Sequence, residues 1–159
     1  LTGAEWEKLL SEYPVVVADK RKYYIESNRS HYNNAHHSDG LDAAEQIIAE
    51  KYPEYSAAFT KVCNRTWAHM FNMFVMRRDL FDQYCEWIFS ILEEIEYRVD
   101  ISDYDTYEAR IYGFVSEILL DVWIEANNID YKEQNVSFME PQNWIKKGGL
   151  FLKRKLFGR

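Results

Sequence analysis

The chain has 159 residues, 47% hydrophobic and 28% charged, which excludes a disordered polymer and fits a single globular domain. Aromatics reach 16%, while 6 glycines and 3 prolines are few, so long helices around a ring-rich core are expected rather than an all-β sandwich. The net charge is −7, and an acidic body is a poor partner for nucleic acid, whose phosphates need cations.

In chain order, residues 2–13 read as a short amphipathic helix with Trp6, Leu9 and Leu10 on one side, ended by Pro14. The β-branched run Val15-Val16-Val17-Ala18 predicts a buried strand. Residues 20–25 fit a second strand or an extended segment. The polar stretch 27–40 holds three of the four histidines and predicts a long loop. Helices are expected over 42–52, stopped by Pro53, and over 54–62. The large apolar residues of 67–76 predict one buried strand. Asp79 suits the N-cap of a helix over 80–99, whose apolar residues occupy several faces and so place it centrally. Asp105 and Glu108 have capping-box spacing ahead of a helix running to about residue 127. On that helix Glu117, Asp121 and Glu125 form one polar stripe. A last strand is expected at 135–139.

Residues 146–159 carry six basic and no acidic residues, leaving 13 basic against 26 acidic, a net −13, in the rest. The division is therefore a body over 1–140 and a basic, amphipathic tail over 141–159. The tail's mixture of cations with Leu150, Phe151, Leu152 and Phe157 suits peripheral contact with an anionic membrane face or a frayed terminus. No apolar run approaches the ~18 residues of a membrane span. Cys63 and Cys85 show neither CxxC nor metal-ligand spacing, which points to a reduced, cytoplasmic compartment.

Four groups of residues could carry chemistry. His31, His36, His37 and Asp39 have the donor types of a zinc-like site or of a substrate-contacting loop, or form a solvated loop. His69 and Asn72 lie in a very apolar stretch, where they are either satisfied core groups or face a pocket at a strand end. Arg110, Gly113 and Glu117 share one helix face. Arg suits phosphate, Gly lets a ligand approach, and Glu can act as a base; an exposed ion pair with a packing glycine is the alternative. Asp103-Tyr104-Asp105 has the form of a DxD metal–nucleotide motif, but it precedes a capped helix and reads better as first-turn residues.

Three blocks together are more specific. They are Tyr32 with His36-His37 followed by Lys51-Tyr52-Pro53-Glu54-Tyr55; the stretch from His69 through Asn72-Met73-Phe74 to Tyr84-Cys85-Glu86-Trp87; and Arg110-Ile111-Tyr112-Gly113-Phe114-Val115-Ser116-Glu117. In this order and spacing, over roughly 15–138, the chain resembles the bacterial glycosyltransferase family of capsular and exopolysaccharide biosynthesis long known as a domain of unknown function, DUF4422. The resemblance implies a helix-rich α/β chain forming the C-terminal, acceptor-side part of a GT-A-like fold. The family's N-terminal blocks have no counterpart here, so a chain without its donor-binding half is expected. Where the family reads Glu-Arg-Leu this chain has Glu117-Ile118-Leu119, and any phosphate role of that cation does not carry over.

The resemblance further implies a cytoplasmic enzyme, at the inner face of the membrane if the tail binds there. It would move sugar from a nucleotide-sugar donor to a polysaccharide or lipid-linked glycan acceptor. Glu117 would be its catalytic base. Arg110, His31, His36, His37 and Asp39 would contact the leaving diphosphate or substrate, and His69 and Asn72 the acceptor. The cofactor stays open, a divalent metal being compatible, with no metal ligands assigned. The rival readings are a non-catalytic glycan- or partner-binding module and a metal-dependent hydrolase built on the histidine stretch.

Overall fold

The computed structural model describes residues 2–137. Thr2 opens the first helix, α1 (Gly3–Glu12), with a capping box: the Glu5 carboxylate accepts the Thr2 N–H at 2.6 Å and Thr2 Oγ1 accepts the Glu5 N–H. After Pro14 the chain enters the fully buried strand β1 (Val15–Ala18), as its β-branched run predicts. β1 is the middle of a three-stranded sheet. It pairs antiparallel with β4 (Phe74–Met76) and parallel with β5 (Tyr131–Gln134). Val15 and Val17 belong to the main core, and the period-2 alternation turns Val16 and Ala18 to the other face. A two-stranded ribbon joins β2 (Arg21–Lys22) to β3 (Trp67–Ala68).

Five helices follow α1. They are α2 (Asn28–Ala35), α3 (Asp39–Lys51), α4 (Ser56–Asn64), α5 (Arg78–Arg98) and α6 (Ile111–Ala126), with 3₁₀ turns at Pro53–Tyr55 and Glu108–Arg110. The result is a helix-rich α/β fold, as expected. α6 packs against α3, α4, α5 and β3, and ten of its residues are buried around its whole circumference. The continuous buried run 118–124 is covered on every side, which makes α6 the central helix, while its first two turns leave the side of Gly113 and Glu117 uncovered. The expectation for 80–99 is corrected on this point. α5 is amphipathic, with Phe89 and Tyr97 exposed. Gly40 lets α3 approach α6, because a Cβ there would lie 2.5 Å from Ile111 Cγ1.

Four other expectations change. Residues 28–35 are helical rather than loop, capped by Ser27 Oγ on the Ser30 N–H. Only Asn28 and Tyr32 of that helix are buried, so it carries no apolar period. The single strand expected over 67–76 is two short strands with a turn between, in which Phe71 (φ 76°) and Asn72 (φ 50°) adopt left-handed backbone. Arg77 is the cap of α5, and Asp79 sits in its first turn, chelating the Arg77 guanidinium. β5 falls at Tyr131–Gln134. Residues 135–137 are irregular, and the rest of the strand expected there, with the 146–159 tail, lies outside the described residues. No helix among the described residues is long and apolar enough to cross a membrane.

Candidate active site on the central helix

Glu117 lies in the second turn of α6, half-buried. Burial pushes its carboxyl above the ordinary range, against the Phe71 N–H it accepts and the nearby charges of Arg110 and Arg21, which lower it. Arg110 immediately precedes α6, and its guanidinium lies 5.4 Å from the Phe114 ring centre. Arg21 comes from β2 and lies 5.4 Å from the Tyr23 ring centre. Both arginines are exposed, and neither has an ion pair within 4 Å among the described residues. A carboxylate flanked by two guanidiniums can take a proton while the cations face developing phosphate charge. Tyr23 is buried beside them, and burial, with Glu117 adding to it, pushes its phenol up to about 12.

The Phe71–Asn72 turn is fixed to the same helix. Asn72 Nδ2 donates to Ser116 Oγ at 2.9 Å and to the Gly113 carbonyl at 3.3 Å. The Ser116 hydroxyl donates in turn to the Gly113 carbonyl at 2.9 Å. Asn tolerates left-handed backbone better than most residues, which suits this position. Asn72 is thus brought to the helix face that carries Gly113 and Glu117; the helical spacing groups Arg110, Gly113 and Glu117, and only the fold adds Asn72 to them.

His69 is not at that surface. It is 1% exposed and belongs to the core, which selects one of the two readings left open for it. Its N–H donates to Asp121 Oδ2 at 3.0 Å, and its Nδ1 lies 2.5 Å from Asp121 Oδ1. Asp121 is itself 2% exposed. Nε2 faces Glu133 Oε1 at 3.5 Å, and that carboxylate pairs with Lys20 at 2.6 Å. Burial acts to raise the Glu133 carboxyl, but the Lys20 and His69 contacts outweigh it and hold it below the usual range. Lys20 and Arg65 lie 4.8 and 4.5 Å from the Trp67 ring centre, and Arg65 also pairs with Glu125. This network clamps β3 and the turn after it onto α6.

The histidine stretch divides. His31 stacks on Tyr23 with centres 4.0 Å apart, and its Nδ1 lies 3.0 Å from the buried carboxylate of Glu26. It therefore backs the Glu117 side of the molecule through Tyr23. His36 stacks on Phe114 at 3.8 Å, beside Tyr107. His37 pairs with Glu108 at 2.9 Å and stacks on Tyr104, whose hydroxyl donates to Asp39 at 2.8 Å. These contacts fasten the segment before α6 to α3. His31 lies on α2, His36 and His37 in the short link after it, and Asp39 at the start of α3, which spreads the four side chains over separate partners. Among the described residues no three His, Cys, Asp or Glu side chains gather to hold a metal ion, so the hydrolase reading loses its ligand set. Asp105 acts as a cap, its Oδ1 accepting the N–H groups of Tyr107 and Glu108 at 2.8 Å, as expected for that motif.

Sequence spacing does not assign Arg21, Phe71 or Asp121 to the site; the fold brings them to it. The spacing of Glu117, Asp121 and Glu125 marked the stripe, but only folding assigns its members to different partners.

A family model described as a domain of unknown function (DUF4422) matches residues 1–128, which include every predicted site residue. No curated protein matches the chain. Among solved structures, one described as the WbbM bifunctional glycosyltransferase in its apo form matches with a TM-score of 0.72 and 28% identity over 83% of this chain. The match spans 27% of that protein's length. With the model matching most of its length and the fold shared, this chain belongs to the DUF4422 family.

Proposed function

We propose that this chain is the acceptor-side part of a GT-A-like glycosyltransferase that moves a sugar from a nucleotide-sugar donor to a surface-polysaccharide or lipid-linked glycan. The observation that carries the reading is Glu117, a half-buried carboxylate of raised pKa on the central helix, within the fields of Arg110 and Arg21, neither of which has an ion pair among the described residues. The likeness to a bifunctional glycosyltransferase at 28% identity supports the same class.

In this mechanism Glu117 takes the proton from the attacking acceptor hydroxyl as the glycosidic bond to the diphosphate breaks and the bond to that hydroxyl forms. Its raised pKa makes it a stronger base than a solvated carboxylate. Arg110 and Arg21 offset the charge that builds on the leaving diphosphate. The buried His69–Asp121 pair acts at one remove, by holding the turn that places Phe71 and Asn72. In this reading the donor-binding groups are supplied by residues other than these 159. The basic 146–159 tail brings the enzyme to the inner face of the membrane, where lipid-linked acceptors reside.

The test is nucleotide release from UDP-, GDP- and CMP-sugars with polysaccharide acceptors supplied. It is run on this chain, on the longest product of its gene, and on Glu117→Ala in each. Release that falls by about 10²–10⁴ in the variant supports the reading. Release unaffected by Glu117→Ala removes Glu117 as the base. Silence on every donor turns the reading to a glycan-binding module.

A further inference from the structure

Among the exposed aromatic rings, Phe71 differs from Phe89 and Tyr97 in its backbone. Phe89 and Tyr97 stand on the regular backbone of α5, where exposure of a single ring is ordinary. Phe71 is 51% exposed on left-handed backbone with φ 76°, a conformation that disfavours a bulky side chain and suits glycine. The fold thus holds a large ring at the surface where glycine would be less strained. Strain of this kind gathers at functional sites.

The surroundings of Phe71 are specific. Its own N–H is donated to Glu117. Its neighbour Asn72 is tied to Ser116 and Gly113, so the ring's backbone is held at two successive residues. Gly113 lies one turn before Glu117 on α6, and a Cβ added there would meet nothing within 4 Å. The helix surface between the turn and the carboxylate is therefore open. Tyr24 is also exposed on left-handed backbone, but of the two it is Phe71 whose backbone acts on Glu117 among the described residues.

We propose that Phe71 is a stacking platform for the ring of the acceptor sugar, seated over Gly113 with one hydroxyl directed to the Glu117 carboxylate. A pyranose has a C–H-rich face that carries partial positive charge and an edge of hydroxyls. The first fits the negative face of an aromatic ring, and the second fits an acceptor oxygen beside it. This deepens the glycosyltransferase reading and rests on it for the role of Glu117, but sugar binding is measurable without turnover.

The experiment is an NMR titration of this 159-residue chain with the methyl pyranosides of glucose, galactose, mannose and rhamnose, with sorbitol as the open-chain control. At least one pyranoside is expected to shift the resonances of Phe71, Gly113 and Glu117, and sorbitol is not. Phe71→Gly is expected to unfold at the same or a higher urea concentration than the parent while weakening that pyranoside by about tenfold. Phe71→Tyr keeps binding, and Gly113→Leu, whose side chain fills the open surface, loses it. Should Phe71→Gly misfold, the Gly113→Leu and Phe71→Tyr pair still decides.

Absence of binding by all four pyranosides, equal binding of sorbitol, or full affinity in Phe71→Gly or Gly113→Leu overturns the platform. Glu117→Gln separates the two readings. Loss of transfer with pyranosides unbound refutes the platform alone. Pyranosides bound through Phe71 with transfer intact in Glu117→Gln refutes the base alone.

Discussion

Glu117 and Asp121 sit one turn apart on α6, carry the same functional group, and meet opposite surroundings. Asp121 accepts the main-chain N–H and contacts the ring of a histidine as buried as itself, with both oxygens engaged. Glu117 has one main-chain donor, arginines at a distance and open helix surface beside it. The lower carboxylate is part of the scaffold, and the upper one is left under-solvated at the edge. A locked charge is costly to disturb, whereas an under-paired one keeps its basicity. The comparison also explains why the apolar stretch around His69 is polar at its centre. The pair anchors the strand end that leads into the strained turn, adding to the Asn72 bonds that hold the turn itself.

The contrast makes predictions of decreasing size. Asp121→Ala should lower unfolding free energy by about 3–5 kcal/mol in urea denaturation, because it strands a buried imidazole and an N–H. Asp121→Asn should cost about 1–3 kcal/mol, since the amide replaces one acceptor with a donor. A loss under 1 kcal/mol for Asp121→Ala would mean that the clamp does not hold the turn. Gly40→Ala should cost about 1–3 kcal/mol by overpacking against Ile111 at the start of α6, where Arg110 and Glu117 are set. An unchanged urea midpoint would show that α3 can retreat freely.

Acidic titration sharpens the comparison further. Glu117 has a raised pKa when folded, so its stabilising contribution is full below its unfolded value near 4.5 and is lost as pH rises through the folded value. Glu133, lowered by Lys20 and His69 against its burial, behaves oppositely, and its contribution is lost as pH falls through its folded value. Glu117→Gln should therefore raise the urea midpoint slightly at neutral pH and leave it unchanged in acid. Glu133→Gln should lower it at neutral pH. A drop at neutral pH in Glu117→Gln would show that the carboxylate is paired after all. Lys61→Ala, which removes an exposed partner of Glu125, is expected to leave the midpoint where it is, and a clear drop would make that surface pair part of the clamp.

Much of the scaffold was legible before folding. The run Val15-Val16-Val17-Ala18, the apolar periods of α5 and α6, the capping residue Asp105, and the stop at Pro53 are local signals, and the elements follow them. α2 was missed because its stability comes from Ser27 capping, the Asn28 amide bonds to the Val62 and Trp67 carbonyls, and Tyr32 packing, none of which leaves an apolar period. The turn at Phe71–Asn72 was missed because a run of large apolar residues looks the same whether it is one strand or two.

The site divides along the same line. Arg110, Gly113 and Glu117 were grouped by helical spacing alone, since residues three and four apart on a helix must be neighbours. The sequence by itself determined that face, the buried β1 and the helix-rich class, because each depends on interactions between residues a few positions apart. Only the tertiary structure decided that Asp121 is locked by His69, 52 positions away, while Glu117 is left open between Arg110 and Arg21, and that Phe71 is held out on left-handed backbone. Those outcomes depend on which distant groups share a desolvated space, and burial of a carboxyl is a property of everything packed around it.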